Sequence, residues 1–357
     1  MKVVLRVLAT LTLVAIMLVV GLLVWRSLQQ HAVASGQKIH TPDGIEQAGF
    51  VRVGGSDQWV QIRGEHRSNP ILLFVHGGPG FSMAPLVPAF RRWEKDFTVV
   101  QWDQRDAGRT FSRNGPQPIS IDQVTRDGLE VADHLRQELG PRPIILVGHS
   151  WGSAIGLNMV QRRPDLFAAY VGFGQMVSHD EQEALSYATV LARVRANGDA
   201  KAVAELEAIG PPPYSAISEL LVERKWLATV DTPAEQTLFK RMTPVVLFTP
   251  GMSLKELWDY NAAPKVAQKM AYPDVEKFDA RRIGAAFAVP IFILAGDQDL
   301  YTPGGGVPRY LAEISAPSKS FVLLKGGGHN VVLTAPDAVL HQLLTRVRPV
   351  ATQPQPR

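Results

Sequence analysis

The sequence has no cysteine among its 357 residues. That absence excludes a disulfide scaffold, a thiolate zinc site, iron–sulfur ligation and a cysteine nucleophile. It leaves the redox compartment open. Charge is scarce at the start, where Lys2, Arg6 and Arg26 are the only charged residues before residue 30. These three supply most of the formal net charge of +4, so the remainder is nearly neutral. No basic run with interleaved aromatics occurs, and nucleic acid is not an expected partner. Internal repeats are lacking as well. What the chain has in quantity is apolar side chain, 46% hydrophobic against 20% charged. Such a composition buries a large core and excludes disordered and collagen-like classes. The length suits two globular units, or one large unit carrying an insertion.

From Val7 to Trp25 the residues are uncharged and almost wholly apolar. As a helix this stretch spans about 28 Å, close to the hydrocarbon thickness of a bilayer. A buried core helix would keep a polar stripe, and a signal-peptide apolar region is usually shorter. The expectation is an uncleaved N-terminal anchor over residues 1–30. A cleaved signal is the alternative, since Ala32-Val33-Ala34 offers a small-x-small site. Lys2 and Arg6 favour an inside N-terminus and an extracytoplasmic globular domain, with residues 31–44 as tether. Cleavage would instead give a secreted or periplasmic protein.

Beyond residue 44, Phe50–Val53 and Trp59–Ile62 alternate and predict an antiparallel hairpin turning at Gly54-Gly55-Ser56-Asp57. Four largely apolar runs follow: Ile71–Val75, Phe97–Trp102, Ile144–Val147 and Ala168–Phe173. Runs of this kind suit strands buried on both faces of a parallel sheet. Between them Ile121, Val124, Gly128, Val131, Leu135 and Leu139 recur at helical spacing, with Ser120 and Gln123 placed as a capping box. The alternation predicts an α/β fold. It breaks from 178 to 288, a helical block without buried strand runs, read as a lid inserted between core segments 45–177 and 289–350. Strands resume at Pro290–Leu294 and Phe321–Leu324, and a last helix spans Asp337 to about Val347. The tail, 351–357, is expected to be disordered.

One motif sits where chemistry needs it. Gly148-His149-Ser150-Trp151-Gly152 follows a predicted buried strand and opens a helix. A tight strand-to-helix turn lifts the Ser150 hydroxyl clear of the sheet, and side chains at 148 and 152 would collide with neighbouring backbone. The new helix directs N–H groups at negative charge forming beside Ser150. Serine needs a base and the base an acid. His329 lies in a glycine-rich turn after the last strand, in Gly326-Gly327-Gly328-His329. Asp297 and Asp299 both follow the preceding strand. Asp299 is favoured, because Asp297 follows too closely to reach sideways and better fixes its own loop. The order Ser150, Asp299, His329 is the one this fold uses. Two donors are expected to face an oxyanion: the N–H of Trp151, and that of Gly78 in His76-Gly77-Gly78-Pro79-Gly80. His76 itself reads as a structural hydrogen-bonder.

With Asp103-Gln104-Arg105, these two glycine motifs resemble the proline iminopeptidase branch of the α/β-hydrolase family over roughly residues 44–348. The resemblance implies the α/β-hydrolase fold with a lid. It also implies a Ser-His-Asp hydrolase without metal or cofactor, which removes N-terminal residues from small peptides. The chain departs from that branch in two places. Asp106 stands where members usually have glycine. The lid carboxylates that hold a substrate amine have no recognisable local pattern. Glu205, Glu207, Glu219 and Glu223 are available, each read as a solvated helix residue. Tyr187, Tyr214, Trp226, Trp258 and Tyr260 are candidates to line an apolar lid pocket, or plain core. The expected partner is a short peptide or other small molecule. An esterase or amidase for small hydrophobic substrates, and a non-catalytic binder on the same scaffold, are the competing readings.

Overall fold

The computed structural model describes residues 1–352. Of the tail expected to be disordered, 351–357, Ala351 instead belongs to a helical turn at Arg348–Ala351, and the residues from Gln353 lie outside the described residues.

Helix α1, Lys2–Gln37, contains the long apolar run, and none of its residues is buried. Its 36 residues extend about 54 Å, well beyond a bilayer's apolar core. The helix runs past residue 30, so the first part of 31–44 is not an extended tether. The far end of the helix is held to the globular body. Arg63 donates to the Gln37 carbonyl at 2.5 Å, and Ile39 N–H donates to Glu46 at 3.0 Å.

Strands β1, Ile45–Val53, and β2, Ser56–Gly64, form the expected hairpin. The turn is tighter than the four residues expected. Gly54 and Gly55, at φ 53° and 78°, make it alone, while Ser56 and Asp57 already pair within the strand. Two positive φ values in succession are the signature of the hairpin turn that matches strand twist, and glycine adopts them freely.

Strands β3, Ile71–Val75, β4, Thr98–Trp102, β5, Ile144–His149, β6, Ala169–Phe173, β7, Ile291–Gly296, and β8, Lys319–Leu324, complete one sheet. Its order is β1-β2-β4-β3-β5-β6-β7-β8, antiparallel at β1/β2 and β2/β4 and parallel elsewhere. The apolar runs are explained by the two cores they feed. Ile71, Leu73, Val75, Ile144 and Leu146 enter one cluster, and Leu72, Phe74, Ile145 and Val147 the other. A strand that alternates between two dry layers has no polar side to show in its sequence.

Helix α2, Ile121–Leu139, has the expected bounds. Ser120 caps it by accepting from Gln123 N–H, while the Gln123 amide turns to Asp127 rather than back to the cap. Helix α3, Trp151–Arg162, follows β5 directly. Between β6 and β7 come α4, His179–Ala196, α5, Ala200–Ile209, α6, Ile217–Val230, α7, Pro233–Leu247, and α8, Leu254–Val275. After β7, α9, Val307–Glu313, packs beside β8 at the sheet edge opposite β1.

Candidate active site

Ser150 occupies the turn between β5 and α3 with φ 53° and ψ −123°. This is a strained conformation for a residue with a side chain, and it persists only where the surroundings enforce it. Its N–H is fixed to the Phe173 carbonyl at 2.9 Å, and its carbonyl accepts from Ser153 N at 2.7 Å and Ser153 Oγ at 2.6 Å. The flanking glycines are required by space. A Cβ on Gly148 would lie 2.6 Å from the Gly152 carbonyl oxygen, and one on Gly152 would strike the carbonyls of Val75 and His76. Among the described residues the Ser150 hydroxyl has no hydrogen-bond partner, His329 included. Both residues face the same cleft.

The loops after β7 and β8 bring Asp299 and His329 together. His329 Nδ1 lies 3.0 and 3.1 Å from the two Asp299 oxygens. Asp299 is fully enclosed and accepts three further bonds: from Tyr301 N–H, from Thr302 N–H and from the Thr302 hydroxyl, each at 2.9 Å. Burial works to raise the Asp299 pKa, but the His329 charge and these hydrogen bonds outweigh it and hold the carboxyl below its ordinary range. Burial likewise opposes charge on His329, and the Asp299 carboxylate overcomes it, raising the imidazole above 6.5. Asp297 points away to solvent and accepts the N–H of Gly326 at 2.7 Å.

The other two candidates, Gly78 and Trp151, line the cleft, and among the described residues neither backbone N–H has an acceptor. Asp103-Gln104-Arg105 is the brace behind them. Gln104 donates its amide to the His76 carbonyl at 2.8 Å and accepts from the Trp151 indole at 3.0 Å, so one side chain ties the glycine loop to the serine turn. His76 accepts from Gln104 N–H at 3.2 Å, and burial pushes its pKa down to about 4, as befits a neutral hydrogen-bonder. Arg105 pairs with buried Asp127 and with the Gly54 carbonyl, fixing the hairpin turn to α2. Asp106, where glycine was expected, has φ 56°. Aspartate tolerates this left-handed geometry better than most residues with a side chain, and its carboxylate accepts Gln117 N–H at 2.8 Å.

The cleft, about 370 Å³, runs between the serine turn and the lid. Its walls include Phe81, Leu220, Leu238, Phe239 and Tyr301. None of the five aromatic residues proposed from sequence lines it. Tyr187 and Trp226 pack inside the lid, Tyr214 and Tyr260 are buried elsewhere, and Trp258 is 77% exposed. Of the four glutamates read as solvated, Glu205, Glu207 and Glu219 make exposed pairs, but Glu223 is fully buried. It accepts from Ser186 at 2.8 Å and shares Arg224 with Glu183. Burial raises its pKa against the pull of Arg224. Glu183 and Arg224 both reach the cleft, and Glu183 Oε2 is buried without a partner.

Several contributors went unseen in the sequence. Thr302 bridges Asp299 and His329, and the Tyr301 ring stacks 4.8 Å from the imidazole. Glu235, in the first turn of α7, accepts both Asn330 N–H and its amide at 2.7 and 2.8 Å, clamping the residue next to His329. Thr232-Pro233-Ala234-Glu235 is a readable helix start, and Thr232 does cap α7. Among the described residues no group of three or more His, Asp or Glu is arranged for a metal ion.

The sheet, the serine turn and the histidine–aspartate pair define a hydrolase of the α/β class. The chain belongs to the alpha/beta hydrolase family, whose model matches residues 72–342. It is similar to a probable aminopeptidase, YbaC, of Bacillus subtilis, at 27% identity over 83% of this chain and 94% of that protein. A proline iminopeptidase of Saccharolobus solfataricus is 31% identical over 30% of this chain and 34% of its own length. Among solved structures, a bacterial membrane phospholipase A superposes with a TM-score of 0.61 at 15% identity, covering 99% of this chain and all of that one. Within the family the likeness is to the proline iminopeptidase branch.

Proposed function

We propose that the protein is a membrane-anchored serine hydrolase that removes N-terminal residues, proline among them, from short peptides. Ser150 attacks the first carbonyl while His329 takes the hydroxyl proton, and Asp299 fixes the imidazole tautomer and stabilises its charged form. The oxyanion accepts from the N–H groups of Gly78 and Trp151. His329 then protonates the departing amine, and water, activated by the same imidazole, releases the acyl group. The observation that carries this reading is the buried Asp299–His329 pair sharing a cleft with a serine at φ 53°.

For the substrate, Glu183 supports the aminopeptidase reading. Glu183 lines the cleft and its Oε2 is buried without a partner, so a protonated α-amine that displaced its cover would satisfy it. The apolar walls favour a second reading, an esterase for small hydrophobic acyl groups. For the anchor, the contacts of α1 support retention, and Lys2 and Arg6 favour a globular domain outside. Arg26, Gln30 and Gln37 all bond to that domain, and cleavage beside Ala34 would remove the first two contacts.

The test compares a proline arylamide with a short acyl ester on wild type and Ser150→Ala. Turnover of the arylamide, lowered by at least about a thousandfold in Ser150→Ala, is expected. Ester turnover alone would favour the second reading. Near-normal rates in Ser150→Ala would remove the serine mechanism, and lack of fluorophosphonate labelling in wild type would point to a binder.

A further inference from the structure

We propose that the outer face of the α7–α8 corner, carrying Phe239, Leu254 and Trp258, rests in the headgroup–acyl boundary of the bilayer that α1 crosses. The inference depends on α1 being a retained membrane anchor. Outside α1, Trp258 and Phe239 are the most exposed large apolar side chains, at 77% and 67%. Single exposed apolar residues such as Phe50 or Leu323 are ordinary on a protein surface. These three differ because they flank one corner, and that corner grips the anchor.

The grip fixes its height. Trp25, the last residue of the apolar run, meets the Phe248 ring edge-on at 5.1 Å. Arg26 donates to the carbonyls of Leu247 and Met252 at 3.1 and 2.7 Å, and Gln30 to those of Thr249 and Met252 at 2.7 and 2.9 Å. Tryptophan followed by arginine at the end of an apolar helix marks the membrane–water interface. The segment between α7 and α8 therefore sits at that level. The body of the sheet sits further out, since Arg63 of β2 takes hold of α1 at Gln37, about 16 Å along the helix from Arg26. Leu254 begins α8 two residues after Met252, and Trp258 follows one turn later.

The charges nearby suit the same surface. Lys240 and Arg241 follow Phe239, Lys255 follows Leu254, and Lys265 and Lys269 are exposed further along α8. The acids among them, Glu256 and Asp259, are half-buried and paired with Arg109 and Lys255. Aromatic and aliphatic side chains rimmed by lysine and arginine are what an interfacial helix presents to lipid. The arrangement bears on access, because Phe239 and Leu238 of α7 and Pro264 and Gln268 of α8 also line the cleft beside Ser150. A substrate partitioned into the interface would reach the rim without crossing bulk water.

The lack of native cysteine makes a direct test clean. Leu13→Cys, Phe239→Cys, Leu254→Cys, Trp258→Cys and Ala312→Cys, each in the full chain, carry a single environment-sensitive fluorophore. Ala312 lies on α9 at the far edge of the sheet. The proteins are reconstituted in vesicles of phosphatidylcholine and phosphatidylglycerol, with fluorophosphonate labelling as the check of folding. Fluorophores at 13, 239, 254 and 258 should be quenched several times more strongly by doxyl-labelled lipid than by aqueous iodide, with 13 the deepest. The fluorophore at 312 should respond to iodide alone. If 13 reports lipid while 239, 254 and 258 behave like 312, the proposed contact is wrong and the anchor stands. If 13 itself reports water, the anchor reading fails and takes this inference with it.

Discussion

At His329 the pH response of the enzyme should be visible. In the proposed mechanism the imidazole serves as base only when unprotonated, and the Asp299 carboxylate raises its pKa above 6.5 despite burial. Activity should therefore rise with pH along a limb centred above that ordinary value. Replacing Asp299 by Asn removes the charge and keeps the shape. Burial then acts unopposed, so the limb should move to lower pH, while kcat falls by about a thousandfold or more because the imidazolium formed in the transition state loses its support. A pH–kcat/KM profile of the two proteins checks both effects, and a limb that stays in place would show that Asp299 does not govern this histidine. His149, 5.0 Å away ring to ring, does not complicate the profile. Burial and the neighbouring His329 push it down to about 3, and its Nε2 is held on the His329 carbonyl at 3.1 Å.

Between β5 and α3 the serine turn is held by contacts with no slack. Gly152→Ala would drive a methyl into the Val75 and His76 carbonyls, backbone at the end of the neighbouring strand β3 that cannot swing aside as a flexible side chain would. The expected cost is at least about 3 kcal/mol, above the usual range for overpacking because backbone must move. Denaturant midpoint and fluorophosphonate labelling should fall together, since the same turn presents Ser150. This element could be read from sequence because its demands are local: an apolar run, two glycines, a serine and a helix start. The central parallel strands β3, β5, β6 and β7 are legible for a related reason, having two buried faces and hence apolar runs. The hairpin turn was placed too wide because Ser56 and Asp57 look like turn residues. Ser56 is nonetheless buried beside Gln58, whose side chain reaches Asp127, 69 residues away. The lid defeated sequence reading where long-range pairs decide. Glu223 carries no mark of burial, and only the fold delivers Ser186 and the Glu183–Arg224 pair to it. The same holds for Glu235, whose capping position is local but whose hold on Asn330 crosses 95 residues.

For the molecule as a whole, α1 is hydrogen-bonded to the segment between α7 and α8. Leu247 ends α7, and the last carbonyls of a helix lack partners within it and carry its negative dipole end. Arg26 supplies both a donor and a positive charge there, and Gln30 satisfies the next exposed carbonyls. The double substitution Arg26→Ala, Gln30→Ala should leave the doubly covered sheet untouched, since neither residue reaches either main core. The freed carbonyls can bond water, so the loss is about 1 kcal/mol for each bond and is felt locally. Limited proteolysis of the full chain in detergent should show cleavage within residues 247–252 rising several-fold, with the melting of the globular domain little changed. Activity toward a soluble arylamide should persist, because the serine turn and the loops that carry Asp299 and His329 follow strands of the sheet and are not held by α1. If the domain instead melted early, α1 would be an integral part of the folded core rather than a strut fixed to one corner of the lid.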